Sequence, residues 1–124
     1  MPTGIQQTNG SYNVITTTIS TAATGLSSVV DLNGFSMFGL MVPSTWSAAN
    51  ITIQAADTAG GTFMDVYDDA GNEVSITAAA SRAVGCDSNA LKIAPFRYVK
   101  FRSGVTATPV VQSTICTLKI ITKG

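Results

Sequence analysis

Three segments of this chain alternate apolar and polar residues with a period of two, and that period decides what it can fold into. In residues 50–56, Ile51, Ile53 and Ala55 share one face, and Thr52, Gln54 and Ala56 share the other. In residues 96–103, Val99 and Phe101 point inward, with Lys100 and Arg102 outward. In residues 114–122, Cys116, Leu118 and Ile120 lie on one face, opposite Ile115, Thr117, Lys119 and Ile121. Successive side chains of an extended strand leave opposite faces, so this pattern specifies half-buried strands.

The remaining segments agree. Residues 12–20 hold Val14, Ile15, Ile19 and three successive threonines, all good strand formers. Residues 26–32 form a second candidate strand. Residues 36–42 are almost continuously apolar, which predicts a central strand covered on both faces. Residues 62–67 follow the turn signal Ala59-Gly60-Gly61. The run Asp68-Asp69-Ala70-Gly71-Asn72 then predicts a hairpin loop into 73–77, with Gly71 supplying positive φ. Residues 81–86 are one more short strand, and no segment makes a convincing helix. Eight or nine short strands predict an all-β fold, a β-sandwich or jelly-roll-like single domain of about eight antiparallel strands. Residues 1–11 read as a polar N-terminal arm and 12–124 as the domain.

Charge is sparse and segregated. Residues 1–80 contain no Lys or Arg, and all Lys and Arg lie in residues 81–124, beside a single acid, Asp87. One reading pairs basic strands with acidic loops inside the domain. The other sets the acidic edge of one subunit against the basic edge of the next, where complementarity would govern register and partner choice. Charged residues are 11% of the chain, against about 25% in a typical soluble domain. So weakly charged a surface is poorly guarded against association, and part of it is expected to be covered by other subunits.

Several functions are disfavoured. Net charge is zero, which argues against nucleic acid, because phosphate binding needs a concerted basic patch. No apolar run approaches a membrane span, so no membrane partner is expected. The N-terminus lacks the basic and apolar regions of a signal peptide, and the chain is expected to be used without secretion. There is no His, which removes triads and imidazole acid–base chemistry. With two Cys, Cys86 and Cys116, a structural zinc site is not expected; one disulfide is possible, but buried thiols are the expectation. Asp57, Asp65, Asp68, Asp69 and Glu73 offer carboxylates for a glycosidase pair or a calcium site. Asp68 and Asp69 nevertheless suit turn chemistry, and the spacing is not that of an EF-hand. No phosphate-binding glycine loop is present. The expectation is therefore a protein that is not an enzyme and has no cofactor. Trp46, Phe63, Tyr67, Phe96 and Tyr98 suit either a core or a sugar-stacking platform, and Trp46, in a loop, suits an exposed interface anchor.

A resemblance adds to this. The blocks Val42-Pro43-Ser44-Thr45-Trp46 through Ile51-Thr52-Ile53-Gln54-Ala55, Gly60-Gly61-Thr62-Phe63-Met64-Asp65-Val66-Tyr67-Asp68, Gly71-Asn72-Glu73-Val74, Ala79-Ala80-Ser81-Arg82-Ala83 and Ala94-Pro95-Phe96-Arg97-Tyr98-Val99-Lys100-Phe101-Arg102-Ser103-Gly104 follow one another in an order that resembles small structural proteins of tailed bacteriophages. The resemblance spans half the chain and rests on strand-and-turn signatures. It implies a virion component, most like a capsid decoration or cement protein. Such a protein would sit on the capsid surface, often as a homotrimer, and bridge subunits of the major capsid protein after assembly in the host cytoplasm. Ile5, Tyr12, Trp46, Lys92, Arg97 and Arg102 are the expected protein-interface residues. The alternative is a carbohydrate- or receptor-binding module of a head fibre or tail tip.

Overall fold

The computed structural model describes residues 12–86, 89 and 92–123. The expected arm at 1–11, with Ile5, lies outside them. Among these residues ten strands form: β1 (Tyr12–Ile19), β2 (Val30–Asp31), β3 (Ser36–Met41), β4 (Ile51–Ala56), β5 (Met64–Asp65), β6 (Ser75–Ile76), β7 (Ala83–Gly85), β8 (Tyr98–Val105), β9 (Thr108–Pro109) and β10 (Cys116–Lys123). They make two sheets in which every pairing is antiparallel. The first runs β1-β10-β3-β7. The second runs β2-β8-β4-β5, with β6 also on β4 and β9 on β8. The molecule is the expected β-sandwich. Between β7 and β8, Asn89, Lys92 and Ile93 are helical, an element the strand pattern did not predict, and Ile93 is fully buried. No helix of the described residues is long and apolar enough to cross a membrane.

The core lies between the sheets. Ile19, Met37, Leu40, Leu118 and Ile120 come from the first, and Ile51, Ile53, Val99 and Phe101 from the second. Strand alternation does this work. On β10, Cys116, Leu118, Ile120 and Thr122 are buried, while Thr117 and Lys119 between them are exposed. Burial of each large aliphatic or Phe side chain stabilises the fold by roughly 1.5–3 kcal/mol.

One expectation is corrected here. β3 is an interior strand of its sheet but is not covered on both faces, because Met41 is 45% exposed. Its register against β10 passes from Ile121↔Gly39 to Thr122↔Met37, so β3 carries one extra residue, a β-bulge. The bulge resets the alternation. Met37 and Leu40 then share the buried side, and Met41 turns to solvent.

Turn chemistry is as expected at 68–72. The Asp68 carboxylate accepts from the Ala70 and Asn72 amides at 3.0 and 2.9 Å, and Gly71 sits at φ 87°. Cys86 and Cys116 are both buried, and no disulfide joins them.

Candidate functional site

The acidic and basic parts of the sequence meet inside the domain. Four ion pairs form among the described residues: Lys92–Asp68, Arg97–Asp31, Arg102–Asp65 and Arg102–Glu73. Each takes its cation from the last third and its acid from the first 80 residues, as the intramolecular reading of the segregation requires.

Arg102 is the centre of the largest cluster and is only 4% exposed. Its guanidinium donates to Thr52 Oγ1 at 3.1 Å, Glu73 Oε2 at 3.3 Å, Thr106 Oγ1 at 2.8 Å and the Asp65 carboxylate. Thr106 Oγ1 also bonds the Glu73 carboxylate. Gln54 Nε2 donates to Asp65 at 3.2 Å. Burial acts to raise the Asp65 pKa, but the hydrogen bonds from Arg102 and Gln54 outweigh it and hold the carboxyl below its usual range. Two carboxylates available for catalysis or calcium are thus spent on one arginine, and the described residues hold no cluster of metal-ligating side chains.

The expected contact residues are distributed as follows. Tyr12 stands exposed on β1, with Lys123 over its ring at 5.4 Å. Lys92 is exposed, 3.8 Å from Asp68. Arg97 is exposed, grips Asp31 with Nε and Nη2 at 2.9 and 3.1 Å, and lies over Tyr98 at 5.1 Å. That hydrogen bond, helped by the Asn33 amide, holds the Asp31 carboxyl below its usual range. Two expectations are corrected. Trp46 is not an exposed anchor: it is 5% exposed, packs in the core and donates Nε1–H to the Ala49 carbonyl at 3.0 Å. Arg102 does not face solvent, because the 104–109 hairpin and Glu73 close over the outer side of β8.

The exposed apolar surface is where the site lies. Among the described residues, seven of the ten exposed large apolar side chains fall in two places. Tyr12, Val14, Met41 and Ile115 belong to the outer side of the first sheet. In register across it run Val14, Ile121 and Gly39, then Thr16, Lys119 and Met41. A hollow of about 290 Å³ opens there between Met41, Val42, Pro43, Thr117 and Lys119. Met64, Tyr67 and Phe96 line a cleft of about 720 Å³ beside β4 and β5, together with Asp57, Pro95 and Arg97 among others. The sequence placed Ile115, Lys119 and Ile121 on one side of the last strand. It did not show that no other described segment covers this side.

The fold defines a two-sheet antiparallel β-sandwich whose exposed apolar side chains gather on two surfaces. No protein-family model matches the chain, and no curated protein matches it either. Among solved structures it is similar to the crystal structure of SPBc2 prophage-derived protein YomS, at 16% identity over 96% of this chain and 100% of that one, with a TM-score of 0.50. The likeness is one of fold.

Proposed function

We propose that this chain is a non-catalytic structural protein of a tailed-phage particle, a capsid decoration or cement protein that bridges major capsid subunits on the head surface. The observation that carries the reading is the gathering of exposed Tyr12, Val14, Met41 and Ile115 on one surface and Met64, Tyr67 and Phe96 on the other. Scattered surface apolar residues need no explanation, but gathered ones mark surfaces made to be covered. The prophage origin of YomS and the resemblance in the sequence lend further support. Specific contacts of this kind bury on the order of 1,200–2,000 Å² in total.

The test is to add purified chain to undecorated phage heads and sediment them. Saturable co-sedimentation, with shells that break at a higher temperature, is expected. A chain that stays in the supernatant at every ratio sinks the reading.

A second reading, a glycan- or receptor-binding module, is favoured by one observation: Tyr67 and Phe96 stand exposed at a cleft large enough for a small ligand. Glycan-array hits abolished by Tyr67→Ala would establish it, and an array without hits would remove it.

A further inference from the structure

Among the described residues, Asp57 at the cleft and Lys119 at the centre of the first sheet are left without an ion pair, while Lys100, on the outer side of β8, lies over the Phe63 ring at 4.7 Å. The cleft is lined by three charged residues, Asp57, Asp65 and Arg97. Asp65 is held by Arg102, and Arg97 by Asp31. Asp57 has no ion-pair partner among the described residues, so the cleft presents one anion amid Met64, Tyr67, Pro95 and Phe96.

The outer side of the first sheet is the converse. β1, β3 and β7 contain no charged residue at all. β10 contributes only Lys119 and Lys123, and Arg82 directly precedes β7. Lys119 lies at the centre of the surface, in register between Thr16 and Met41, and borders the hollow beside Met41. It has no ion-pair partner among the described residues.

We infer that copies of this chain dock heterologously, the Met41–Lys119–Ile121 face of one seating on the Met64–Tyr67–Phe96 cleft of the next, with Lys119 meeting Asp57. This rests on the reading of the chain as a subunit built for burial, and it names the partner as a second copy. Met64, 68% exposed, is the side chain that projects from the cleft rim, and the hollow beside Met41 is the space that receives it. Joining two copies by like surfaces would bring two copies of Lys119, or two of Asp57, into one contact without giving either an opposite charge. A head-to-tail contact avoids this, and it closes into a ring or runs into a filament according to its rotation.

Sedimentation velocity of the full chain over a concentration series tests this, with Lys119→Glu and Asp57→Lys as variants. Both positions are exposed, and each variant is first shown to keep the wild-type circular dichroism and melting curve. The wild type is expected to self-associate. Each variant alone sets like charges across the contact and is expected to weaken it about tenfold or more. In an equal mixture every contact between unlike variants restores opposite charges, and association tighter than that of either variant alone is expected. A monomeric wild type, a mixture that associates no better than either variant, or an Asp57→Lys variant that associates as the wild type does (the sign that the cleft takes no part) overturns the inference. Head co-sedimentation separates this from the proposed function. Heads bound by a monomeric wild type overturn the docking mode alone, whereas a chain that self-associates as described but ignores heads overturns the cement reading alone.

Discussion

Arg102 on β8 reaches across the whole width of β4 to bond Asp65 on β5. The intervening strand contributes Thr52, opposite Arg102, and Gln54, opposite Asp65, and both side chains join the network. Three strands and two hairpin loops are thus tied by one guanidinium, on the side of the sheet away from the core.

Replacing that guanidinium is expected to be costly. Arg102→Met leaves the Asp65 and Glu73 carboxylates facing each other without a cation. Removing one member of a buried pair costs about 3–5 kcal/mol. Because both acids are partly exposed, the lower end, about 3 kcal/mol, is expected in urea unfolding. Arg102→Lys recovers little of it, since one ammonium cannot span four acceptors.

Stability is expected to fall in acid. Asp31 is lowered chiefly by the Arg97 hydrogen bond, and Asp68 chiefly by the Asn72 amide. Asp65 stays low because Arg102 and Gln54 overcome its desolvation. A carboxyl depressed in the folded state contributes stability that is fully present above its unfolded pKa of about 3.9 and is lost as pH falls through the folded value. These groups therefore give no slope between neutral pH and about pH 5, and a declining stability below that. Chemical denaturation across this range checks it, and Asp31→Asn should flatten the acid slope.

Two glycines at positive φ should respond differently to alanine. Gly104 has φ 91°, and an added Cβ would sit 2.6 Å from the Thr108 carbonyl oxygen and 2.7 Å from the Val110 nitrogen. Gly34 has φ 78° with nothing within 4 Å. Gly34→Ala is expected to cost about 1–2 kcal/mol from backbone strain alone. Gly104→Ala adds a backbone clash that only a distorted β8–β9 hairpin relieves, so its melting temperature should fall further.

Gln112 is fully buried and clamps two distant loops. Its Oε1 accepts from the Ser47 amide at 2.7 Å. Its Nε2 donates to the Ser47 carbonyl at 3.1 Å and to Ser103 Oγ at 2.7 Å. Gln112→Leu strands the Ser47 amide and carbonyl, at about 1–3 kcal/mol for each group left unsatisfied. Gln112→Glu keeps the acceptor but loses the donor and buries a charge, and it should unfold at lower urea than the wild type.

The strands were legible because alternation is local. Ile51, Ile53, Val99, Phe101, Leu118 and Ile120 each announce their buried face by what stands two residues away, and each is buried. The 68–72 turn was legible for the same reason, since Asp68 bonds amides two and four residues on. The candidate surfaces were half legible. Tyr12 was anticipated as a contact residue, and Ile115, Thr117, Lys119 and Ile121 as sharing a face. Met41 was hidden by a bulge that depends on β3 pairing with β10.

What this chain's residues determined alone is the period-two pattern, and with it two sheets enclosing one core, because strand side chains must take opposite faces. Which outward faces stay open was settled by contacts distant in sequence. Arg102 reads as a solvent-facing cation until the 104–109 hairpin and Glu73 close over it, and Trp46 as a loop aromatic until the core takes it in. Lys119 has the same local pattern as Arg102, yet among the described residues no segment folds across it, and it is exposed. Alternation assigns a residue its side of the sheet, and only the packing of remote segments decides whether that side meets water.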